Sequence, residues 1–365
     1  MIKLINIKYI IIFSILIELI ALFFIRLIGI DWDYHVDSVT YITFSEAVTE
    51  KVLKSKLFPL SLLNQGFYIL VDFLDSSPNN IISFNILIFA ITNHFIALCL
   101  RPFRHKYYIL FEYLILFNPY RVYLGTAILK DNFVIFLLVI GFYFWQYKIY
   151  PKILKLDHDN ISKTFKSLFL LRIIISITAF IILIITRIAS VIYLLMIPRK
   201  LDDLRSKSSL LIILFVILII NNYFDGNIIN TFTNAGNTNM NFREYGNVPN
   251  FSNLGELGTI LRTIFWPILF TSGSFIIFTP SPEMILIATG TSLVFFIQIK
   301  LKNNHFLTNS FLNYFFFAGI TSGFLSFARY SMPIWLLSSI IIYIKSSPKY
   351  NKLSEEQSHT QNIII

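Results

Sequence analysis

The chain has 365 residues, of which 56% are hydrophobic and only 14% charged, with a formal net charge of +10. A soluble domain carries about a quarter charged residues, so this composition excludes an ordinary cytosolic enzyme and indicates an all-α, polytopic integral membrane protein. At roughly 20 apolar residues per crossing, about ten transmembrane helices would use more than half the chain and leave too little for a separate soluble domain.

In chain order, the first hydrophobic run, 7–30, is too long for a signal-peptide core and lacks a small-residue cleavage site, so it reads as an uncleaved span. A polar region, 31–80, follows. Further runs lie near 81–100, 107–120, 132–147, 167–186, 188–198, 208–222, 283–299, 306–324 and 330–344. Between them stand basic clusters: Arg101, Arg104 and Lys106; Lys148, Lys152, Lys155, Lys163 and Lys166; Arg199, Lys200, Arg205 and Lys207; and Lys300 with Lys302. Their positions explain the positive charge without nucleic acid. If every cluster is cytoplasmic, the runs alternate without contradiction, both termini are cytoplasmic, and 31–80 and 221–262 are outer loops. Two apolar stretches break this parity if counted as spans. Leu57 to Leu74, with Pro59, Asn64, Gln65, Gly66 and Asp72, and Thr263 to Thr279 are therefore read as re-entrant or interfacial segments. Residues 1–345 make one transmembrane domain, and the polar tail 346–365 is expected to be a disordered cytoplasmic segment. The loop 221–262 is rich in Asn and reads as flexible. Cys99, the sole cysteine, stands in an apolar run, which excludes an internal disulfide framework and a cysteine-ligated metal site.

Chemistry concentrates just after the first span, in Asp31-Trp32-Asp33-Tyr34-His35-Val36-Asp37-Ser38-Val39-Thr40-Tyr41. Asp37 or Ser38 can cap a helix whose Tyr41, Phe44, Val48 and Val52 form an apolar face, with Glu50 and Lys54 as a surface i,i+4 pair. One of Asp31, Asp33 and Asp37 is a candidate general base, or a group that orients an acceptor hydroxyl. Asp37 is preferred, because a carboxylate on a rigid element can be aimed. The opposite charge comes from Arg121, Lys130, Arg187 and Arg329 at the outer ends of spans, with Arg243 and Arg262 in the large loop. Arg187 and Arg329 have apolar sequence on both sides, and a charge so placed tends to face the protein interior or a wet cavity. A guanidinium fork is suited to clasp a pyrophosphate through two bonds. No nucleotide-phosphate loop is readable, and His35 with its neighbouring acids lacks convincing metal spacing, so neither cofactor nor metal is expected. Three classes stay open: a glycosyl-transferring enzyme needing acids and cations on one face, a transporter with charge buried at mid-membrane, where Glu18 and Glu112 are the chief acids, and a scaffold needing neither.

Three features together resemble a family. These are the acidic segment Asp31 to Tyr41 after the first span, a middle hairpin Asn118-Pro119-Tyr120 through Leu129-Lys130-Asp131-Asn132, and a late Arg329-Tyr330 with Pro333. Their order is similar to that of the polytopic polysaccharide polymerases of bacterial surface-glycan clusters, the Wzy-type O-antigen polymerases and the EpsG-like proteins. The resemblance covers most of the chain through short motifs. It implies transfer of a growing glycan from undecaprenyl pyrophosphate to a new lipid-linked repeat unit at the periplasmic face of the bacterial inner membrane, in lipopolysaccharide biosynthesis. It also implies a chain-length regulator and a flippase as membrane partners. GT-C-type membrane glycosyltransferases likewise tend to carry a functional acid in the first outer loop, which maps onto Asp31, Asp33 or Asp37. The resemblance speaks to the class and says little about exact residues; the residues expected to bind substrate, the cations because they converge on the face of the acidic segment, are Arg187, Arg329, Lys130, Arg121, Arg243, Arg262, His35 and Tyr41. The chain departs from the family in its large loop, which offers only Arg243 and Arg262 where many Wzy proteins have a basic repeated pattern. Addition of a single sugar from a polyprenyl-linked donor, and flipping of a lipid-linked oligosaccharide, are the alternatives.

The topology has a direct test. In a Cys99→Ala background, a cysteine introduced at position 158 should be shielded from an impermeant reagent applied outside, while cysteines in 31–56 should react. Outside labelling at 158 would refute the orientation.

Overall fold

The structure is a computed structural model that describes residues 7–104, 109–145, 163–187, 190, 251, 254–278, 280–300 and 324–347. The described residues are helical, with no strand among them. The helices are α1 (Ile7–Leu27), α2 (Val36–Leu53), α3 (Gly66–Phe73), α4 (Pro78–Leu100), α5 (Ile109–Leu116), α6 (Pro119–Thr126), α7 (Lys130–Phe142), α8 (Lys163–Thr186), α9 (Gly255–Ser272), α10 (Pro282–Lys300) and α11 (Phe324–Lys345). Three stretches, Tyr9–Leu27, Pro78–Phe103 and Phe169–Thr186, are long and apolar enough to cross a membrane. The runs 188–198 and 208–222, apart from Ser190, and the run 306–324, apart from Phe324, lie outside the described residues. So do the basic loop 148–162, most of the loop 221–262 including Arg243, and the tail from 348.

The chain divides into two compact units, 1–102 with 121–200, and 103–120 with 201–365. In the first unit α1 packs on α4, α2 on α3, and α7 on both α4 and α8. One stripe of α1, Ile10, Ser14, Glu18 and Ile25, is buried, while Ile12, Leu16, Leu19, Ile20, Phe23 and Phe24 are exposed. Burial of one stripe at helical spacing, with large apolar side chains left uncovered elsewhere, is the pattern of a helix bordered by lipid. Under α2 and α3 a small core gathers Tyr41, Phe67, Val71, Ile81, Ile82, Ile86 and Ile128.

Three sequence expectations change. First, the run 107–120 is not one helix. Asn118 ends α5 and its side-chain Oδ1 accepts the Tyr120 backbone N–H at 3.0 Å, with Pro119 opening α6. Asn and Pro are both suited to start a helix, so the chain restarts there. The eight residues of α5 rise about 12 Å, well short of the ~30 Å hydrocarbon core. Second, the middle hairpin, whose sequence places its turn between Arg121 and Lys130, is mostly the helix α6 there, and the turn is 127–129. Third, α2 buries Tyr41 and Val52 but leaves Phe44 exposed, because Ser38 and Ser45 take the inward positions instead. The stretch Leu57 to Leu74 consists of a short 3₁₀ turn at Leu60–Leu62 and α3, and Glu50 pairs with Lys54 on the exposed face of α2, as expected.

The turn between α6 and α7 is held by side chains from elsewhere. Asn85 Nδ2 donates to the Ala127 carbonyl at 2.7 Å, Ser38 Oγ to the Ile128 carbonyl at 3.0 Å, and Asn132 Nδ2 to the Asn85 carbonyl at 2.8 Å. Turn carbonyls in a buried setting need such donors. In the second unit, α9 and α10 pack together and α5 touches α10 and α11. Asn118 Nδ2 donates to the Gly290 carbonyl at 2.8 Å. A Cβ at Gly290 would stand 2.7 Å from both the Asn118 Oδ1 and the Tyr120 Cβ, so only glycine permits this approach.

Asn85 is the central tie. Asn85→Ala leaves a buried carbonyl without its donor and should cost about 1–3 kcal/mol, read as a lower unfolding midpoint in detergent. An unchanged midpoint would mean that the turn is held without it.

Candidate functional site

The acidic segment folds at the C-terminal end of α1. Ile25, Arg26, Ile30, Asp31, Trp32 and His35 form one side of a cleft, and Tyr123, Thr126 and Ala127 of the α6 end form the other, with Leu22 beneath. Asp31 is exposed and pairs with Arg26, the last cation of α1. A positive group in the last helical turn is favoured by the helix dipole, so Arg26 is well placed for this bond. Asp33 is exposed. His35 is buried and serves as the residue before α2, and its Nε2 shares a hydrogen bond with the Tyr123 hydroxyl.

Asp37 and Ser38 do not provide the side-chain cap expected of them. His35 occupies the capping position and makes no side-chain cap bond. Ser38 turns its hydroxyl to the Ile128 carbonyl. Asp37 lies in the first turn of α2, half-buried, where the exposed N–H groups of the helix start favour a negative charge. Its charge reaches Tyr68 of α3. Burial first, and the Asp37 carboxylate second, push the Tyr68 phenol above the usual tyrosine range. Tyr68 therefore stays protonated beside Asp37. Tyr41 stacks edge-on with Phe67 at 4.8 Å and with Tyr68 at 4.9 Å, which anchors α2 on α3.

The cations are distributed differently from their sequence order. Arg187, just beyond α8, is buried and donates through Nη2 to Asp131 Oδ1 at 2.6 Å; Asp131, in the first turn of α7, is fully buried. Lys130 is its half-buried neighbour. Gly66 at the start of α3 packs on Ile185 and Thr186, and a Cβ there would lie 2.9 Å from the Ile185 side chain. The start of α3 thus meets the end of α8 beside this ion pair. Arg121 is not at the end of a span. It is buried, its Nη2 donates to Asn93 Oδ1 at 3.0 Å, and its guanidinium lies 5.0 Å from the ring centre of Phe89, the midpoint of α4. Its place is the interior of the first unit.

Two of the remaining cations belong to the second unit. Arg262 on α9 is buried with its guanidinium 5.9 Å from the Trp266 ring centre, and burial holds it below the usual arginine range. Arg329 on α11 is buried. Glu112, expected as a mid-run acid, is paired through both oxygens with Arg104. No cluster of three or more His, Cys, Asp or Glu side chains suited to a metal occurs among the described residues.

Of the residues expected from sequence, Asp31 and His35 line this cleft, while Asp33, Asp37 and Tyr41 are not among its lining. Sequence reasoning missed Tyr123, Arg26 and Trp32 as members of the cleft. Tyr123 is 88 residues from His35 and sits inside the stretch where the sequence places the hairpin turn. Had the Asn118-Pro119 start signal been followed into a helix, Tyr123 and Thr126 would have fallen on one face at i,i+3 spacing.

The Arg187–Asp131 pair makes a sharp prediction. Removing one member of a buried pair typically costs 3–5 kcal/mol, roughly, whereas replacing both by apolar groups is often tolerated. Asp131→Asn should sharply reduce the protein accumulated in the membrane, and Asp131→Leu with Arg187→Met should recover much of it. If the double variant accumulates no better than either single, the pair serves more than packing.

No family model matches the chain, and no curated protein or solved structure matches it.

Proposed function

We propose that this chain is a membrane glycosyltransferase for lipid-linked glycans, an O-antigen-type polysaccharide polymerase that moves an undecaprenyl-pyrophosphate-linked glycan onto a new lipid-linked repeat unit. In this reading the bundle has about ten spans, lies in the bacterial inner membrane with both termini cytoplasmic, and turns the C-terminal end of α1 outward. The observation that carries it is the meeting of Asp31, Trp32, His35, Tyr123 and Thr126 around one cleft, with Asp37 following His35 in the first turn of α2. An indole face beside hydroxyl and imidazole groups is suited to a sugar, whose rings present apolar C–H faces and hydroxyl edges.

The division of labour follows from the placements. Asp37 accepts the proton of the incoming acceptor hydroxyl, work worth about 10²–10⁴-fold in rate. Asp31 and Asp33, more exposed, bind sugar hydroxyls; His35 is held by Tyr123, and Tyr41 fixes the helix that carries Asp37. Lys130 and Arg187 offer positive charge to the departing pyrophosphate, Arg187 with its orientation set by Asp131. Arg243, Arg262 and Arg329, in the second unit, are proposed as substrate-binding cations by their residue type. Arg121, buried away from the cleft, is left out of this role. A chain-length regulator and a flippase are the proposed membrane partners.

One observation favours a second reading. Glu18 at the middle of α1 and Arg121 of α6, beside the middle of α4, are ionisable side chains buried in the interior of the first unit, a feature that suits a flippase for lipid-linked oligosaccharides.

Lipopolysaccharide banding separates them. A strain lacking the protein should show core plus one repeat unit, whereas rough core alone would favour the flippase or an earlier transferase. In a complemented strain, Asp37→Asn keeps the shape of the helix start. The variant should accumulate normally and yield single-unit product; long-chain product at wild-type length and amount would remove Asp37 from the chemistry.

A further inference from the structure

Glu18 is fully buried on the inward stripe of α1, and neither of its carboxyl oxygens has a hydrogen-bond partner. The charged group whose field reaches it is Arg121, from α6. Arg121 nonetheless gives its Nη2 proton to Asn93. From α4 the facing polar group is Asn93 itself, which is uncharged and donates to Ser14 Oγ of α1 at 3.1 Å. The Glu18 oxygens rest instead on the backbone of α6, since a Cβ at Gly125 would lie 2.6 Å from each of them. A bare carboxylate at such a place forfeits its hydration with no bond in return, whereas a carboxylic acid carries no charge to desolvate.

The site also has a way out. Leu22, one helical turn along α1 and about 6 Å from Glu18 by helical rise, lines the cleft described above, and so does Thr126, the neighbour of Gly125. The titratable groups around that cleft are Arg26, Asp31, His35 and Tyr123.

We propose that Glu18 is a proton-binding site within the α1, α4 and α6 bundle, exchanging its proton with water in the cleft. In the proposed resting state the carboxyl O–H is intact and Arg121 is the cluster's positive charge. On release, the O–H bond breaks, its electron pair stays on the Glu18 oxygen, the proton passes to cleft water, and Arg121 becomes the counter-ion, so the cluster turns neutral. Gly125, having no Cβ, leaves the space against α6 that the carboxyl group occupies. The proposal does not rest on the glycan reading.

The test uses the full chain in lipid vesicles and infrared difference spectroscopy. The wild type should show the carbonyl band of a protonated carboxyl that moves with carbon-13 glutamate labelling and shifts on transfer to D₂O. Glu18→Gln should lose that band, and Glu18→Asp should return it at another frequency without the glutamate label effect. Should Glu18→Gln fail to accumulate, the Glu18→Asp comparison decides alone. A band absent from the wild type, or unchanged in these variants, would overturn the proposal. So would a Glu18 band that does not shift in D₂O, because the group would then be sealed from the cleft.

Discussion

Inside a bilayer a polar group finds no water, so each buried donor, acceptor and charge must be met by another part of the same protein. The first unit is organised around this requirement. Many of its long-range bonds are made by small amides and hydroxyls: Asn85 and Ser38 to the turn after α6, Asn132 to α4, and Asn93 between Ser14 and Arg121. Each bond is modest on its own in a membrane, at about 0.6–2 kcal/mol. Together they fix the positions of α1, α4, α6 and α7 more specifically than the interchangeable Ile and Leu contacts around them.

The same requirement explains why the charged residues are unequally placed. Arg187 is buried where Asp131 meets it, and Arg104 is largely covered where its Nε and Nη2 donate to the two Glu112 oxygens. Asp31 and Asp33 stay exposed, where water or Arg26 can satisfy them. Asp37 lies between these cases. It is half-buried at a helix start, close enough to Tyr68 to act on its titration, and stands on an element anchored by Tyr41. That combination of partial access and rigid support is what distinguishes it from its neighbours in the acidic segment.

The cleft at the end of α1 and the Glu18 cluster are neighbours through α6. One face of this short helix carries Tyr123 and Thr126 to the cleft, while Arg121 and Gly125, four residues apart, meet the interior polar groups. A helix of eight residues thus serves two environments, and the glycine is what lets it approach α1 closely enough to do so. Its start is set by Asn118 and Pro119, and its end by the turn that Asn85 and Ser38 hold.

Composition and charge distribution were enough to determine the class of the protein, because hydropathy is additive along the chain and needs no knowledge of partners. That a helix follows the acidic segment was legible for a similar reason, as its signals lie within a few residues of one another, although it starts at Val36 and not after a cap at Asp37 or Ser38. The surface pair of Glu50 and Lys54 is equally local. Tertiary structure alone decided the rest. Whether Arg121 faces a membrane surface or the interior depends on Asn93 and Phe89 of α4, and whether His35 meets Tyr123 depends on α6 returning beside α1. Phe44 fits an apolar face by spacing, yet Ser38 and Ser45 take the inward positions because a carbonyl of the α6–α7 turn and the Ser76 hydroxyl await their hydroxyls. Periodicity identifies which face of a helix is apolar. It does not identify which polar groups find a partner inside, because that partner lies dozens of residues away in the chain.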